Sequence, residues 1–288
     1  MYDWSLACVL LLPVRYGMNL MALHYFQPFR VSKSRSKHDT IARALGQEIL
    51  RGVHAPGANL PTEAELLSRF GASRTVLREA MKTLAAKGLV VLKTRVGTRV
   101  LNSSNWNFFD AELLAWSAEM GVDAQLRRSL TEIRRAVEPA AAALAAMRRS
   151  RAEIAHLRDC VRLMARSGEN PQGFAKADLE FHLMIGVASG NPLMRSLAAV
   201  IEAALIASFQ ENMPLAGDDL AETANAHDAI VDGIEIRDAA AASAAMLRVI
   251  DLGQARIANR LRARASMGTK RGAKRKQRAP RTVRRVAQ

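Results

Sequence analysis

The 288-residue chain carries a formal net charge of +15, with 24% charged and 49% hydrophobic residues and only two cysteines. Cys8 and Cys160 lie far apart, which excludes a disulfide framework and zinc-finger spacing and fits a reducing cytoplasm. The charge is unevenly divided: +4 over residues 1–38, +5 over 39–101, −3 over 102–266 and +9 over 267–288. Affinity for nucleic acid is therefore localised, and the larger, mildly acidic part has another task.

Residues 1–35 contain a short apolar run that superficially suggests export. Pro13 breaks it, it is too short to span a bilayer, and Asp3 stands where a basic region would precede a signal sequence. This segment is expected to be disordered or to lie upstream of the true start, with Met18 or Met21 as the first residue of the working protein. No membrane association is expected.

Residues 60–100 read as two short helices, a tight turn and a basic hairpin. Thr62 and Glu65 have capping-box spacing, so hydroxyl and carboxylate each satisfy an amide at a helix start, and Pro61 fixes the entry of the chain. Leu66 and Phe70 form one apolar stripe, and Gly71 supplies a sharp turn. Ser73 opens the next helix as its N-cap. Val76, Leu77, Ala80, Met81, Leu84 and Ala85 recur at helical spacing and leave Arg74, Thr75, Arg78 and Lys82 directed outward. Gly88 closes that helix, and two β-rich stretches flank Thr94, Arg95, Val96 and Gly97 as a hairpin with a cationic tip.

A helix that offers Arg and Thr from its first two turns suits the major groove, with the hairpin on phosphate or in the minor groove. The competing reading, an amphipathic helix pair with a solvated charged face, does not account for the order of helix, turn, helix and hairpin. These residues resemble the DNA-binding half of the GntR family of transcription regulators: Leu-Pro-Thr-Glu at 60–63, Ser-Arg-Thr-x-x-Arg-Glu-Ala at 73–80, and Arg-x-Gly-Thr at 95–98. The resemblance implies DNA contacts from Ser73, Arg74, Thr75 and Arg78, and from the wing around Arg95 and Gly97. Ala64 stands where family members often have Arg, so one expected contact is missing. The winged helix-turn-helix is assigned to residues 36–102 and a linker to 103–109.

From residue 110 to 266 the chain is rich in Ala, Leu, Arg and Glu with 3.6-residue periodicity, which predicts an all-α bundle of six or seven helices. The whole chain is thus mainly α, with one small β-hairpin. Breaks are expected at Gly121, near Ser150, over 168–173, 189–192 and 213–219, and at Arg237. Asp178 and His182, four residues apart, share a helix face and can hold a divalent ion or a polar ligand, and His227 from a later helix can complete the site. A simple i, i+4 contact is the plainer alternative. Arg134 is the residue assigned to an effector carboxylate, because a planar guanidinium binds one bidentately; an intrahelical pair with Glu138 competes, and Arg135 replaces it if the helix phase differs.

Glu132-x-Arg134-x-x-x-Glu138-Pro139, Asp178-x-x-x-His182 with Ala-Ser-Gly-Asn-Pro at 188–192, and His227 ahead of Ala245-Met246 together resemble the FCD effector domain of the FadR-like subfamily. That resemblance implies a divalent ion of zinc or nickel type on three His and one carboxylate. Val249 stands where the last His is usual, so Asp178, His182 and His227 remain as the only metal ligands, or bond an effector directly. Residues 106–116, with Trp106, Phe108, Phe109 and Trp116, resemble the segment after the wing in galactonate-operon repressors, which implies a sugar-acid effector. The partners expected are double-stranded operator DNA, a small carboxylate and a second copy of the chain as homodimer. Residues 267–288, basic and poor in large apolar groups, are expected to be disordered.

Two rivals were weighed. A metal-dependent helical enzyme on Asp178, His182 and His227 lacks a nucleophile, an acid/base pair at convincing spacing and a glycine-rich phosphate loop, so no catalytic residue is expected. A non-specific DNA-binding protein rests on the basic tail alone.

Overall fold

The computed structural model describes residues 36–93, 97–168, 170–212 and 217–277. Residues 1–35, with Met18, Met21 and Cys8, lie outside them, as do Arg95 at the wing tip and the tail from 278.

The first helix, α1 (Lys37–Leu50), was not among the expected elements. Ser36 and Asp39 form a reciprocal capping box at its start, and Ile41, Leu45 and Ile49 line its buried face. Helix α2 (Glu63–Phe70) starts in the predicted Thr62–Glu65 capping box and ends at Gly71, which adopts φ +53° and ψ +40°. That left-handed conformation turns the chain into α3 (Arg74–Ala86), capped by Ser73. Leu77, Ala80, Met81 and Leu84 of α3 are buried, as the periodicity predicts.

Strands β1 (Val90–Lys93) and β2 (Gly97–Val100) form the antiparallel wing, with Lys93 opposite Gly97. Gly97 is thus the first residue of β2 rather than part of the tip. The loop before α2 adds a third, unforeseen edge: Leu60 N–H donates to Thr98 O at 2.8 Å and Val100 N–H to Ala58 O at 2.9 Å. One core of Ile41, Leu45, Leu66, Leu77, Leu84 and Leu89 holds helices and wing together. Each such side chain contributes about 1.5 to 3 kcal/mol by leaving water.

A 3₁₀ turn at Ser103–Asn105 leads to α4 (Ala111–Glu119), which belongs to both halves. Its Leu113 and Trp116 complete the winged-domain core, and its Leu114 packs with Leu130, Val200 and Ala204 of the helical bundle. Lys87, the C-cap of α3 and only 4% exposed, fixes the joint: its ammonium reaches Asp110 Oδ1 at 2.7 Å and Glu112 Oε2 at 2.8 Å and lies 5.2 Å from the Trp116 ring centroid. Asp110 also caps α4. The end of α3 is therefore tied by a buried charge to the start of the bundle.

The bundle continues through α5 (Ala124–Arg148), α6 (Arg151–Arg166), α7 (Pro171–Ala188), α8 (Pro192–Ser196), α9 (Ala198–Asn212), α10 (Asp218–Glu235) and α11 (Ala239–Gln277). Five-residue α8 is the element that the expected six or seven did not include. Helices α5 and α10 pack on α11, and α6 on α7. Breaks fall at Gly121, Ser150 and Arg237 as expected, while the 168–173 break ends earlier because Pro171 starts α7. Residues 267–277, expected to be disordered, continue α11. Lys, Arg, Ala and Gln are good helix formers, and extending an existing helix avoids a new nucleus. Among the described residues no helix is long and apolar enough to cross a membrane.

Gly88 offers the sharpest test of the joint. It sits at φ +74°, and a Cβ there would lie 2.0 Å from the backbone oxygen of Asn105. Gly88→Ala is expected to destabilise the protein by about 2 kcal/mol or more, read as a lower midpoint in chemical denaturation; an unchanged midpoint would contradict the close approach.

Candidate functional site

Two surfaces carry chemistry. On the DNA-binding half, the buried stripe of α3 leaves Ser73, Arg74, Thr75 and Arg78 exposed along its first two turns. Arg74 Nε lies 3.3 Å from Glu63 Oε1, a contact in which both side chains are largely in water and therefore easily exchanged. Arg78 has no ion-pair partner among the described residues. Gly97 is exposed at the base of the wing, and Arg95 lies outside the described residues.

In the bundle, α5, α7 and α10 bring together Arg134, Glu138, Asp178, His182 and His227, all buried. Asp178 and His182 share a face of α7, as their spacing predicts, and His227 of α10 meets them. His227 Nε2 lies 2.9 Å from Asp178 Oδ1, His182 Nε2 3.8 Å from the same oxygen, and the two Nε2 atoms are 3.4 Å apart. The Phe181 ring stands edge-on to both imidazoles and closes the site on one side.

Each imidazole is oriented from behind. His227 Nδ1 lies 2.7 Å from the carbonyl of Thr223, which accepts its proton and leaves Nε2 as the atom facing Asp178. His182 Nδ1 lies 2.6 Å from Glu138 Oε2, off the line of a ring N–H hydrogen bond, so the contact is a close electrostatic approach rather than a well-aligned bond. The sequence offers Glu138 as a competitor for Arg134 and as a member of the FCD-like motif, not as a support for the histidines; here it backs His182. The signal that could have found it is its position four residues after Arg134.

Arg134 does not stand free to receive a carboxylate. Its Nε donates to Glu138 Oε1 at 2.5 Å and its Nη2 to Glu138 Oε2 at 3.2 Å, so the intrahelical pairing is what the structure contains. Burial alone would raise the Glu138 pKa, but the Arg134 guanidinium, helped by His182, outweighs it and holds the group at about 2. Arg135 points elsewhere and pairs with Asp251.

Burial likewise acts to raise Asp178, and His182, His227 and Arg134 together hold it below the usual carboxylate range. Arg134 and Glu138 cancel in charge, which leaves one buried carboxylate facing two imidazoles. Such a group demands a cation, either a proton on an imidazole or a divalent ion. Asp178, His182 and His227 offer three ligand atoms all within 4.8 Å of one another, a two-nitrogen, one-oxygen set that suits a zinc- or nickel-type ion with open positions.

The cluster and Arg134 line a cleft together with Phe174, Leu205, Phe209, Thr223, Val249 and Arg256. Val249 of α11 lines the same cleft as the three candidate ligands and offers it an apolar side chain. Arg256, which the sequence reading did not single out, lies one turn beyond Gly253 on the same wall.

Two family models match the chain: the FCD domain over residues 129–252, and the gntR family of bacterial regulatory proteins over residues 37–100. The galactonate operon transcriptional repressor of Escherichia coli K12 is 32% identical over 75% of this chain and 94% of its own length. The uncharacterized HTH-type transcriptional regulator YieP of the same organism is 38% identical over 70% and 87%. In fold, the solved structure of Lar from Listeria monocytogenes, reported to control expression of the agr system, matches with a TM-score of 0.56 over 79% of this chain and 99% of that one, at 19% identity. The matched families and relatives are transcriptional regulators rather than enzymes. A winged helix-turn-helix that presents its recognition helix to solvent, joined through α4 to a helical bundle with a charged cleft, thus makes this chain a transcriptional regulator of the GntR family with an FCD domain.

Proposed function

We propose that the protein is a repressor that binds an inverted-repeat operator as a homodimer and releases it when a sugar acid enters the cleft of the helical domain. The observation that carries the DNA half is the exposure of Ser73, Arg74, Thr75 and Arg78 on the first two turns of a helix whose other face is locked in a core. In this reading residues 36–102 bind DNA, 103–109 link, and 110–266 bind the effector and form the dimer. Arg74 and Arg78 read bases, Ser73 and Thr75 support them, and Gly97 and Arg95 set the wing on the backbone.

Asp178, His182 and His227 serve the effector, by bonding its hydroxyls directly or by holding a divalent ion that supplies a Lewis-acid anchor for its oxygens. The kinship with a galactonate operon repressor favours a gluconate- or galactonate-like acid. Coupling follows the shared helix: α9 lines the cleft with Leu205 and Phe209, and Gln210 of α9 donates to Ala118 O of α4 at 3.1 Å, so a displacement of α9 is felt at the joint with the recognition helix. A coupling of about 1 to 3 kcal/mol changes operator affinity roughly 5- to 150-fold.

Arg74→Ala and Arg78→Ala are each expected to cost about 1 to 3 kcal/mol of operator affinity and to relax sequence preference, measured by competition between operator and unrelated DNA. Unchanged preference in both would reject the recognition-helix assignment. For the metal, elemental analysis of protein purified without an affinity tag should find a divalent ion that His182→Ala loses and Val249→His retains more tightly, since a further imidazole raises affinity. No stoichiometric metal in any of the three would leave direct bonding to the effector as the role of these side chains.

A further inference from the structure

We propose that Arg256, rather than Arg134, receives the carboxylate of the effector, and that Glu222 occupies its guanidinium until that carboxylate arrives. The inference rests on the sugar-acid reading above and specifies which group recognises the acid end of the ligand.

Arg134 is the poorer receptor because the carboxylate it already holds is buried with it. Both Nε and Nη2 are on Glu138, and both partners are less than a tenth exposed. A ligand that took Arg134 would deprive buried Glu138 of its guanidinium partner, at the cost of a buried charge left with His182 alone. Arg256 has the opposite character. It lines the same cleft, and it comes from α11 seven residues after Val249, so Val249, Gly253 and Arg256 share one helix face. Its side chain is 12% exposed, whereas its acidic partners are in water: Glu222 Oε2, 2.6 Å from Nη2, belongs to a side chain 60% exposed, and Asp219 Oδ1, 3.5 Å from Nε, to one 54% exposed. Releasing Glu222 returns it to solvent at little cost. A carboxylate from the ligand can therefore replace it on the same donor.

The remaining contacts hold the fork in place. Nη1 donates to Thr223 Oγ1 and Nη2 to Asp219 O at 3.0 Å, both on α10. Thr223 links the two ends of the cleft, because its carbonyl accepts from His227 Nδ1. A hydroxy acid with its carboxylate on Arg256 thus lies toward Asp178, His182 and His227 with its hydroxyl chain. The order of groups along the cleft, a cation at the rim and hydrogen-bonding groups in the floor, matches an acid with several hydroxyls and not a neutral sugar.

The test is isothermal titration of the full chain with galactonate, gluconate and the neutral sugar galactose, in wild type, Arg256→Gln and Glu222→Gln. Wild type should bind galactonate or gluconate and not galactose. Arg256→Gln should bind the same acid about tenfold more weakly or worse, through loss of a charge-assisted contact, while Glu222→Gln binds it more tightly because the internal competitor is gone. The Glu222→Gln arm keeps the test decisive if Arg256→Gln proves unstable. Equal affinity in wild type and Arg256→Gln, or weaker binding in Glu222→Gln, overturns the assignment of Arg256. Wild type that binds neither acid overturns the sugar-acid reading itself, and this inference with it.

Discussion

One buried carboxylate organises the polar centre of the helical bundle. Asp178 is 5% exposed and faces two imidazoles, and the neighbouring Arg134–Glu138 pair is already neutral. An isolated carboxylate in such surroundings would take up a proton, so the site persists only as a closed set of mutually compensating groups. Each member has a support: Glu138 behind His182, the Thr223 carbonyl behind His227, and Arg134 locked on Glu138. The cluster suits a ligand that brings either cationic charge or hydroxyl groups, and the apolar Val249 limits how many donors the protein itself can add.

The link to DNA is a matter of packing. Helix α4 is shared between two cores, with Leu113 and Trp116 on one side and Leu114 on the other. Lys87, itself buried, fastens the C-terminal end of α3 to the first turn of α4 through the partly exposed carboxylates of Asp110 and Glu112. Helix α9 meets α4 through the Gln210–Ala118 hydrogen bond, so in the proposed mechanism a shift of α9 is passed through α4 to α3.

The winged domain was legible in the sequence where local chemistry decides the backbone. Capping at Thr62 and Ser73, the left-handed turn at Gly71 and the stripe from Leu77 to Leu84 are all read within a few residues. Helix α1 carried a comparable signal in Ser36 and Asp39, with Ile41, Leu45 and Ile49 behind it. It became recognisable through the core it completes. In the bundle, the Asp178–His182 pair followed from spacing, but the fate of Arg134 did not. Its i, i+4 partner and a ligand compete for one guanidinium, and only burial shows that Glu138 holds it. Arg256 was invisible for a related reason: α11 is alanine-rich around much of its circumference, so its sequence does not reveal which face meets the cleft. Residues 267–277 depart from the expected disorder because composition governs whether a segment can form its own core, whereas α11 needs only helix-forming residues to continue.

The central claim is that occupancy of the cleft controls operator binding. The most direct measurement is a mobility shift of the purified protein on DNA upstream of its own gene, in physiological salt, titrated with galactonate, gluconate and galactose. The account predicts a complex that outcompetes unrelated DNA and is released by a hydroxy acid but not by the neutral sugar. Binding that is equally strong on any DNA, falls with salt alone and is indifferent to every acid would contradict it.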